Sequence, residues 1–237
     1  MDQNLLKTST KQRVIIAVIA VAMLVSIIAS YAAIILANGN VSASVSSEGL
    51  ISKYESAYNE VKEKVTAASV DNFNEFIKYK NRITAYNEAS ANSNGVQTTD
   101  LKVGNGRTLA DGDTNYLAYY VGWCADETVF DSSFDNVQNP TALSSILNAS
   151  MGLIEGWNIG VVGMKLGGIR EITIPGELAY GESTEICGGY NKPLKFMVMA
   201  VENSGTLGDL AAELSEAQMG LQYAYYGIDY NDVKTGE

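Results

Sequence analysis

The order of apolar and polar positions divides this chain of 237 residues into stretches of different character. Val14 to Ala37 is uncharged and apolar over about 24 residues, and a membrane-spanning helix needs about 20. Asn38 to Ser47 is rich in Gly, Ser and Asn and reads as a linker. From Leu50, apolar side chains fall at Ile51, Tyr54, Tyr58, Val61 and Val65, alternating spacings of three and four that predict a helix. Ser52 and Glu55 have capping-box spacing. A second helix is predicted from Asp71, as N-cap, to about Ala89, with Phe73, Phe76, Tyr79, Ile83 and Tyr86 on one face. Ala91 to Thr99 is polar and marks a boundary.

Beyond it the period shortens to two. Thr114 to Trp123, Ile169 to Ile174 and Leu194 to Val201 are rich in β-branched and aromatic residues and predict strands. In the last of these, Leu194, Phe196, Val198 and Ala200 share one face. Glu155 to Val162 predicts one short helix. The inventory is α+β, an antiparallel sheet wrapped on a short helix. The predicted organisation is a basic N-terminus (1–13), a membrane segment (14–37), a linker and helical stalk (38–99), the α+β domain (100–202) and an acidic, Tyr-rich tail (203–237). In the tail a helix is predicted from Asp209 to Gly220, ahead of Tyr223, Tyr225, Tyr226 and Tyr230. The tail reads as disordered or as a partner-binding segment. The stalk reads as a spacer whose stripes pack on each other or on the domain, or as an arm for homodimerisation; the first stripe is under three heptads long, short for a coiled coil.

Charge orients the membrane segment. Lys7, Lys11 and Arg13 precede it, and the next basic residue is Lys53. The positive-inside rule places the N-terminus in the cytoplasm and the bulk of the chain outside. A cleaved signal peptide is the competing reading, although its apolar core usually runs about 7–15 residues. The net charge of −11 repels phosphate backbones, so nucleic acid is not an expected partner. The chain has no histidine. A Ser-His-Asp triad, a Cys-His dyad and a His-ligated metal are therefore excluded. No metal and no cofactor is expected.

Several strings pair large apolar groups with one orienting polar atom: Val129-Phe130-Asp131-Ser132-Ser133, Leu153-Ile154-Glu155-Gly156-Trp157 and Leu178-Ala179-Tyr180-Gly181. With Gly104-Asn-Gly106, Gly112-Asp113, Tyr120-Val-Gly122, Gly163-Met164, Gly167 and Leu194-Lys-Phe196 they form one collinear run of about a hundred residues. This run resembles an FKBP-type peptidyl-prolyl cis-trans isomerase domain. The resemblance implies a twisted sheet curling round a short helix, with the pocket between them. It implies that Trp157 is the pocket floor, that Tyr120, Phe130 and Phe196 are its aromatic walls, and that Leu153 lies at its rim. By the same resemblance the Tyr180 hydroxyl and the Ile154 N–H bond substrate carbonyls, and Asp131 sits beside the twisting amide. Twisting a peptide bond costs about 18–20 kcal/mol and makes or breaks no bond, so a chain without histidine suits it.

Two loops leave the family pattern. After Ser133 this chain carries Pro140-Thr141-Ala142-Leu143 and a longer Ser144–Gly152 connection where many members have a Pro-Phe wall. After Gly181, Ile186-Cys187-Gly188-Gly189-Tyr190 replaces an Ile-Pro-Pro-like segment, with Ile186 as the apolar contact. Cys124 and Cys187 lie on segments that the resemblance places beside one pocket. An even cysteine count in an exported domain favours a disulfide over two free buried thiols. The sequence thus predicts an anchored isomerase acting on proline-containing polypeptides that fold outside the cytoplasm. The rival is a non-catalytic FKBP-like binding module in a membrane assembly.

Overall fold

The computed structural model describes residues 47–235. The apolar segment 14–37 and the basic N-terminus lie outside the described residues. Among the described residues no helix is long and apolar enough to cross a membrane. The chain forms two compact units. One is Ser56–Ala217, and in the other residues 47–55 join residues 218–235.

The larger unit is built on one antiparallel sheet. Its strands are β1 (Gln97–Lys102), β2 (Tyr116–Trp123), β3 (Val129–Ser132), β4 (Leu147–Asn148), β5 (Ile169–Ile174) and β6 (Leu194–Glu202). The order is β1-β5-β6-β2-β3, with β4 also paired to β2. Side chains alternate across each strand, and both faces are apolar. Leu194, Phe196, Val198 and Ala200 of β6 join Tyr116, Ala118, Ile172 and Ile174 on one face, as the period of two predicts. Met197, Met199 and Val201 face the other way, with Leu117, Tyr119, Val121 and Trp123. Near-continuous apolar strands are expected where both faces of a sheet are covered.

Each face is covered differently. On the first lies a short helix, Glu155–Val161. It approaches the sheet closely because Gly156 and Gly160 face it four residues apart. A Cβ at Gly156 would collide with Ile174 Cγ2, and one at Gly160 would lie 2.5 Å from Ile172 Cγ2. The second face takes Val61, Val65 and Phe76 from the predicted stalk and Leu210, Ala211 and Leu214 from the predicted tail. These residues come from α1 (Ser47–Ala68), α2 (Val70–Phe76) and the C-terminal helix α5 (Gly205–Tyr225); the remaining helices are α3 (Glu88–Ser93), α4 (Glu155–Val161) and α6 (Tyr230–Thr235). The first stripe is thus buried within the chain, and the tail is helical.

The second predicted helix differs from expectation. It starts at Val70, so Asp71 lies inside its first turn, with Ser69 preceding it. A 3-10 turn carries it to Arg82, and Ile83 is already extended (φ −72, ψ 95). Residues 83–87 instead bond to the end of the sheet. Trp123 Nε1 donates to Thr84 O at 3.0 Å, Tyr86 N donates to Ala125 O at 3.1 Å, and Tyr86 OH donates to Pro193 O at 2.9 Å. These tertiary hydrogen bonds replace those of another helical turn, and local periodicity cannot register them.

In the smaller unit, α1 and α5 pack through Tyr54 and Gly220: a Cβ at Gly220 would collide with the Tyr54 ring. Asp229 accepts from Lys53 Nζ at 2.8 Å and from Tyr54 OH at 2.5 Å. The Lys53 bond, then that of Tyr54, holds the Asp229 carboxyl at about 2, below its ordinary 3.8. A carboxyl lowered by folding stabilises the fold above its unfolded value, and this contribution is lost as pH falls through about 2. Hydrogen-exchange protection of residues 50–55, corrected for the intrinsic exchange rates, is expected to fall between pH 4 and pH 2. In Asp229→Asn this pH dependence should disappear; its persistence would show that Asp229 is not the titrating group.

Candidate functional site

Between the first face of the sheet and α4 lies a cup of aromatic rings. Trp157, in the first turn of α4 and buried, is its floor. Tyr120 stands edge-on to Trp157 with ring centroids 5.5 Å apart, and Phe196 edge-on at 5.2 Å. Phe130 stands edge-on to Phe196 at 5.5 Å. Edge-to-face geometry directs the positive edge of one ring at the negative face of the next. Gly122 makes this packing possible. It sits across from Asp131 on β3 and Phe196 on β6, and a Cβ there would lie 2.5 Å from Phe130 and 2.8 Å from Phe196.

The Asp131-Ser132-Ser133 string has local work for each residue. Ser133, buried, accepts from Tyr120 N at its hydroxyl (3.1 Å) and donates its own N–H to Tyr120 O (2.8 Å). It thereby fixes the backbone of the wall tyrosine. Ser132 Oγ accepts from Phe134 N at 2.9 Å and turns the chain away. Asp131 faces the cup, where its carboxylate accepts from the Tyr120 hydroxyl and from Ser132 N. Burial pushes the Asp131 carboxyl above its ordinary value, while those two bonds pull against the shift. Burial, then the Asp131 charge, raises Tyr120 well above a free phenol. Tyr180 is raised by the same two causes. Both phenols therefore remain protonated donors at neutral pH.

The turn carrying Tyr180 is pinned from several sides. Gly181 N donates to Gly176 O at 2.9 Å, and Asn191 N donates to Gly181 O at 2.7 Å. Gly176 lies so close to Asn191 that a Cβ there would collide with its carbonyl. The departing loop is closed by a disulfide between Cys124, at the end of β2, and Cys187, Cα atoms 5.4 Å apart. Ile186 beside it is buried in the same apolar cluster as the cup. Leu153, Ile154 and Tyr180 pack against that cluster too, half-buried. The structure thus brings together Tyr120, Phe130, Asp131, Leu153, Ile154, Trp157, Tyr180, Ile186 and Phe196. The Tyr180 hydroxyl and the Ile154 N–H make no hydrogen bond among the described residues. A cup with two unengaged donors at its edge suits a ligand carrying two carbonyls. In the connection after Ser133, Phe134, Leu143 and Ile146 turn to the opposite face of the sheet.

Residues 84–201 match the model of the FKBP-type peptidyl-prolyl cis-trans isomerase family. An FK506-binding protein of Neisseria meningitidis serogroup B is 35% identical over 108 residues, covering 46% of this chain and 93% of that protein. This chain belongs to the FKBP-type peptidyl-prolyl cis-trans isomerase family. FK506-binding protein 4 of Gibberella zeae is 42% identical over 88 residues, which are 37% of this chain and 16% of that protein. The chain thus spans only a small part of the length of that fungal relative. The crystal structure of AtFKBP13 is 29% identical and covers 48% of this chain and 96% of that one, at a TM-score of 0.36.

Two residues of this FKBP site escape sequence reasoning. Tyr116 is buried in the core, and its hydroxyl accepts from Trp157 Nε1 at 3.0 Å. Burial pushes that hydroxyl up to about 12. The periodicity of β2 marks Tyr116 only as inward-facing; nothing in it signals the indole. Arg170, also buried, donates to Gly160 O and Val162 O, both at 2.9 Å, at the C-terminal end of α4, and pairs with Asp100 at 2.6 Å. It ties the helix bearing Trp157 to two strands. Tyr116→Phe removes only the acceptor for the indole N–H. Leaving a buried donor unpaired costs about 1–3 kcal/mol. A drop of that size in the urea-derived stability is expected, with a shift in tryptophan emission. An unchanged spectrum and midpoint would show that the hydrogen bond does not hold the ring.

Proposed function

We propose that this protein catalyses cis-trans isomerisation of X–Pro bonds in exported polypeptides, held at the membrane by residues 14–37 with its N-terminus in the cytoplasm. The observation that carries the catalytic reading is the aromatic cup over Trp157, lined by one buried carboxylate and edged by two unengaged donors. The anchored location rests on the length of the apolar segment and the basic residues before it.

The mechanism needs no nucleophile and no proton transfer. A planar amide carries more charge on its oxygen than a twisted one, so an apolar cup solvates the planar form poorly. The Asp131 carboxylate adds to this by repelling the charged carbonyl oxygen of the planar form. Both effects act more strongly on the ground state than on the transition state, which is the condition for acceleration. Tyr180 and the Ile154 N–H hold the flanking carbonyls, so that rotation occurs at the proline. The tyrosine stays protonated as this role requires.

The test is a refolding experiment on a substrate limited by proline isomerisation, a step of tens to hundreds of seconds uncatalysed. The soluble chain should begin at Ser47. A fragment cut to 100–202 would lose Val61, Val65, Phe76, Leu210 and Leu214 from the second face of the sheet. Catalytic amounts should shorten the slow phase at least tenfold. Peptide binding with no acceleration, at enzyme equal to substrate, would instead make this a non-catalytic binding module.

A further inference from the structure

The smaller unit carries a pair of tyrosines that the isomerase site does not use. Tyr225, the last residue of α5, is 64% exposed, and Tyr226, which follows it in the turn, is 54% exposed. Other tail tyrosines turn inward: Tyr223 is buried, and Tyr230 stacks on it at 5.4 Å. The tail thus buries one ring, half-buries a second against it, and presents two.

Their position is set by contacts within the same unit. The turn after Tyr226 runs through Gly227 in the left-handed region (φ +74), and a Cβ there would lie 3.3 Å from Ser47 Oγ. Ser47 is where α1 begins. The tail is held at this end by the Gly220–Tyr54 contact and by the bonds of Asp229 to Lys53 and Tyr54. The uncharged apolar run ends at Ala37, ten residues before Ser47. Ten residues reach at most about 36 Å fully extended. The exposed pair is therefore tethered within roughly that reach of wherever Ala37 leaves the bilayer.

We infer that Tyr225 and Tyr226 rest in the neutral headgroup layer of the membrane that holds residues 14–37. This rests on the anchored reading above. A tyrosine suits that layer because its ring prefers the acyl boundary while its hydroxyl stays with water, as in the aromatic belts of membrane proteins. Two rings alone bind a bilayer weakly. A short tether supplies an effective concentration of about millimolar, which makes a weak contact sufficient. The charges among the described residues of this unit, Glu48, Glu55, Asp229 and Asp232 against Lys53 and Lys234, leave an acidic excess. Neutral headgroups are accordingly preferred over anionic ones.

The test is hydroxyl-radical footprinting of the full chain in phosphatidylcholine vesicles and of the soluble chain from Ser47, read by mass spectrometry. Tyr190, 53% exposed in the other unit, normalises radical dose. Oxidation of Tyr225 and Tyr226 relative to Tyr190 should fall about fivefold in vesicles. Part of that protection should be lost when phosphatidylglycerol is mixed in. An unchanged ratio in vesicles that carry the protein overturns the inference. Equal protection in the soluble chain, growing with protein concentration, assigns the surface to a second copy and also overturns it. Flotation of the vesicles reads the anchor separately: if the chain fails to float with lipid, the anchored reading falls first and this inference with it.

Discussion

Asp131→Asn is expected to slow isomerisation about tenfold to a hundredfold in kcat/KM while making the protein more stable at pH 7. The two signs have one origin. Folding buries the Asp131 carboxyl, and burial raises its pKa. A group raised on folding adds its stability fully only below its unfolded value, and loses it as pH rises through the folded one. At neutral pH the charged carboxylate is therefore a cost. Asparagine keeps one oxygen to accept from the Tyr120 hydroxyl, loses the bond from Ser132 N, and removes the buried charge, whose cost is the larger of the two. Stability should rise, and the repulsion of the planar amide should vanish. Removing one preorganised group from a water-poor site typically costs about 10²–10³ in rate; a smaller loss, about tenfold to a hundredfold, is expected here because the aromatic cup remains. Proline-limited refolding kinetics and urea midpoints on the same samples check both signs. Full activity in the variant would mean that the cup alone drives the rotation. A lower midpoint would mean that Asp131 belongs to the structural core rather than the site.

Loss of the Cys124–Cys187 disulfide is the second large effect. It closes a sequence separation of 63 residues, and the chain-entropy model assigns such a loop about 4 kcal/mol. Cys124→Ala with Cys187→Ala should cost about 2–4 kcal/mol, or roughly 5–15 °C in Tm for a domain of this size. The effect on activity should be local. The bridge holds the segment with Ile186, which continues from the turn bearing Tyr180 and contains no proline between Gly181 and Lys192. KM is expected to rise more than kcat falls, since the released loop supplies contacts to bound substrate rather than to the twisting bond. A dithiothreitol titration of the wild-type chain should reproduce the shift, and the alanine pair should not respond to reductant. Equal Tm values with and without reductant would remove the bridge from the stability of the domain.

Much of this fold is legible in the chain because its signals are local. Alternation in Leu194 to Val201 assigns each residue of β6 to a face correctly, since the pleat fixes side-chain direction at a period of two. The stripe at Tyr54, Val61 and Val65 marks a helix for the corresponding reason at a period near 3.6. The strings around Phe130, Trp157 and Tyr180 point to a shared pocket because each joins bulky apolar groups to a single polar atom. Where the reading went wrong, the cause was distant in sequence. The second helix stops at Arg82 because Thr84, Ala85 and Tyr86 bond to Trp123, Ala125, Glu127 and Pro193, 37 to 107 residues away.

The sequence by itself determined the periodicities, the family strings and, through the missing histidines, the kind of chemistry the chain must do without. It left open what the stalk and tail are for, because an apolar stripe does not say what will cover it. Only the tertiary structure decided that Val61, Phe76 and Leu214 cover the second face of the sheet, that Tyr116 receives the Trp157 indole, and that Tyr54 and Asp229 hold the tail beside Ser47. In each case the deciding contact joins residues far apart in the chain. Pattern encodes which face a residue takes; only folding brings it against its partner.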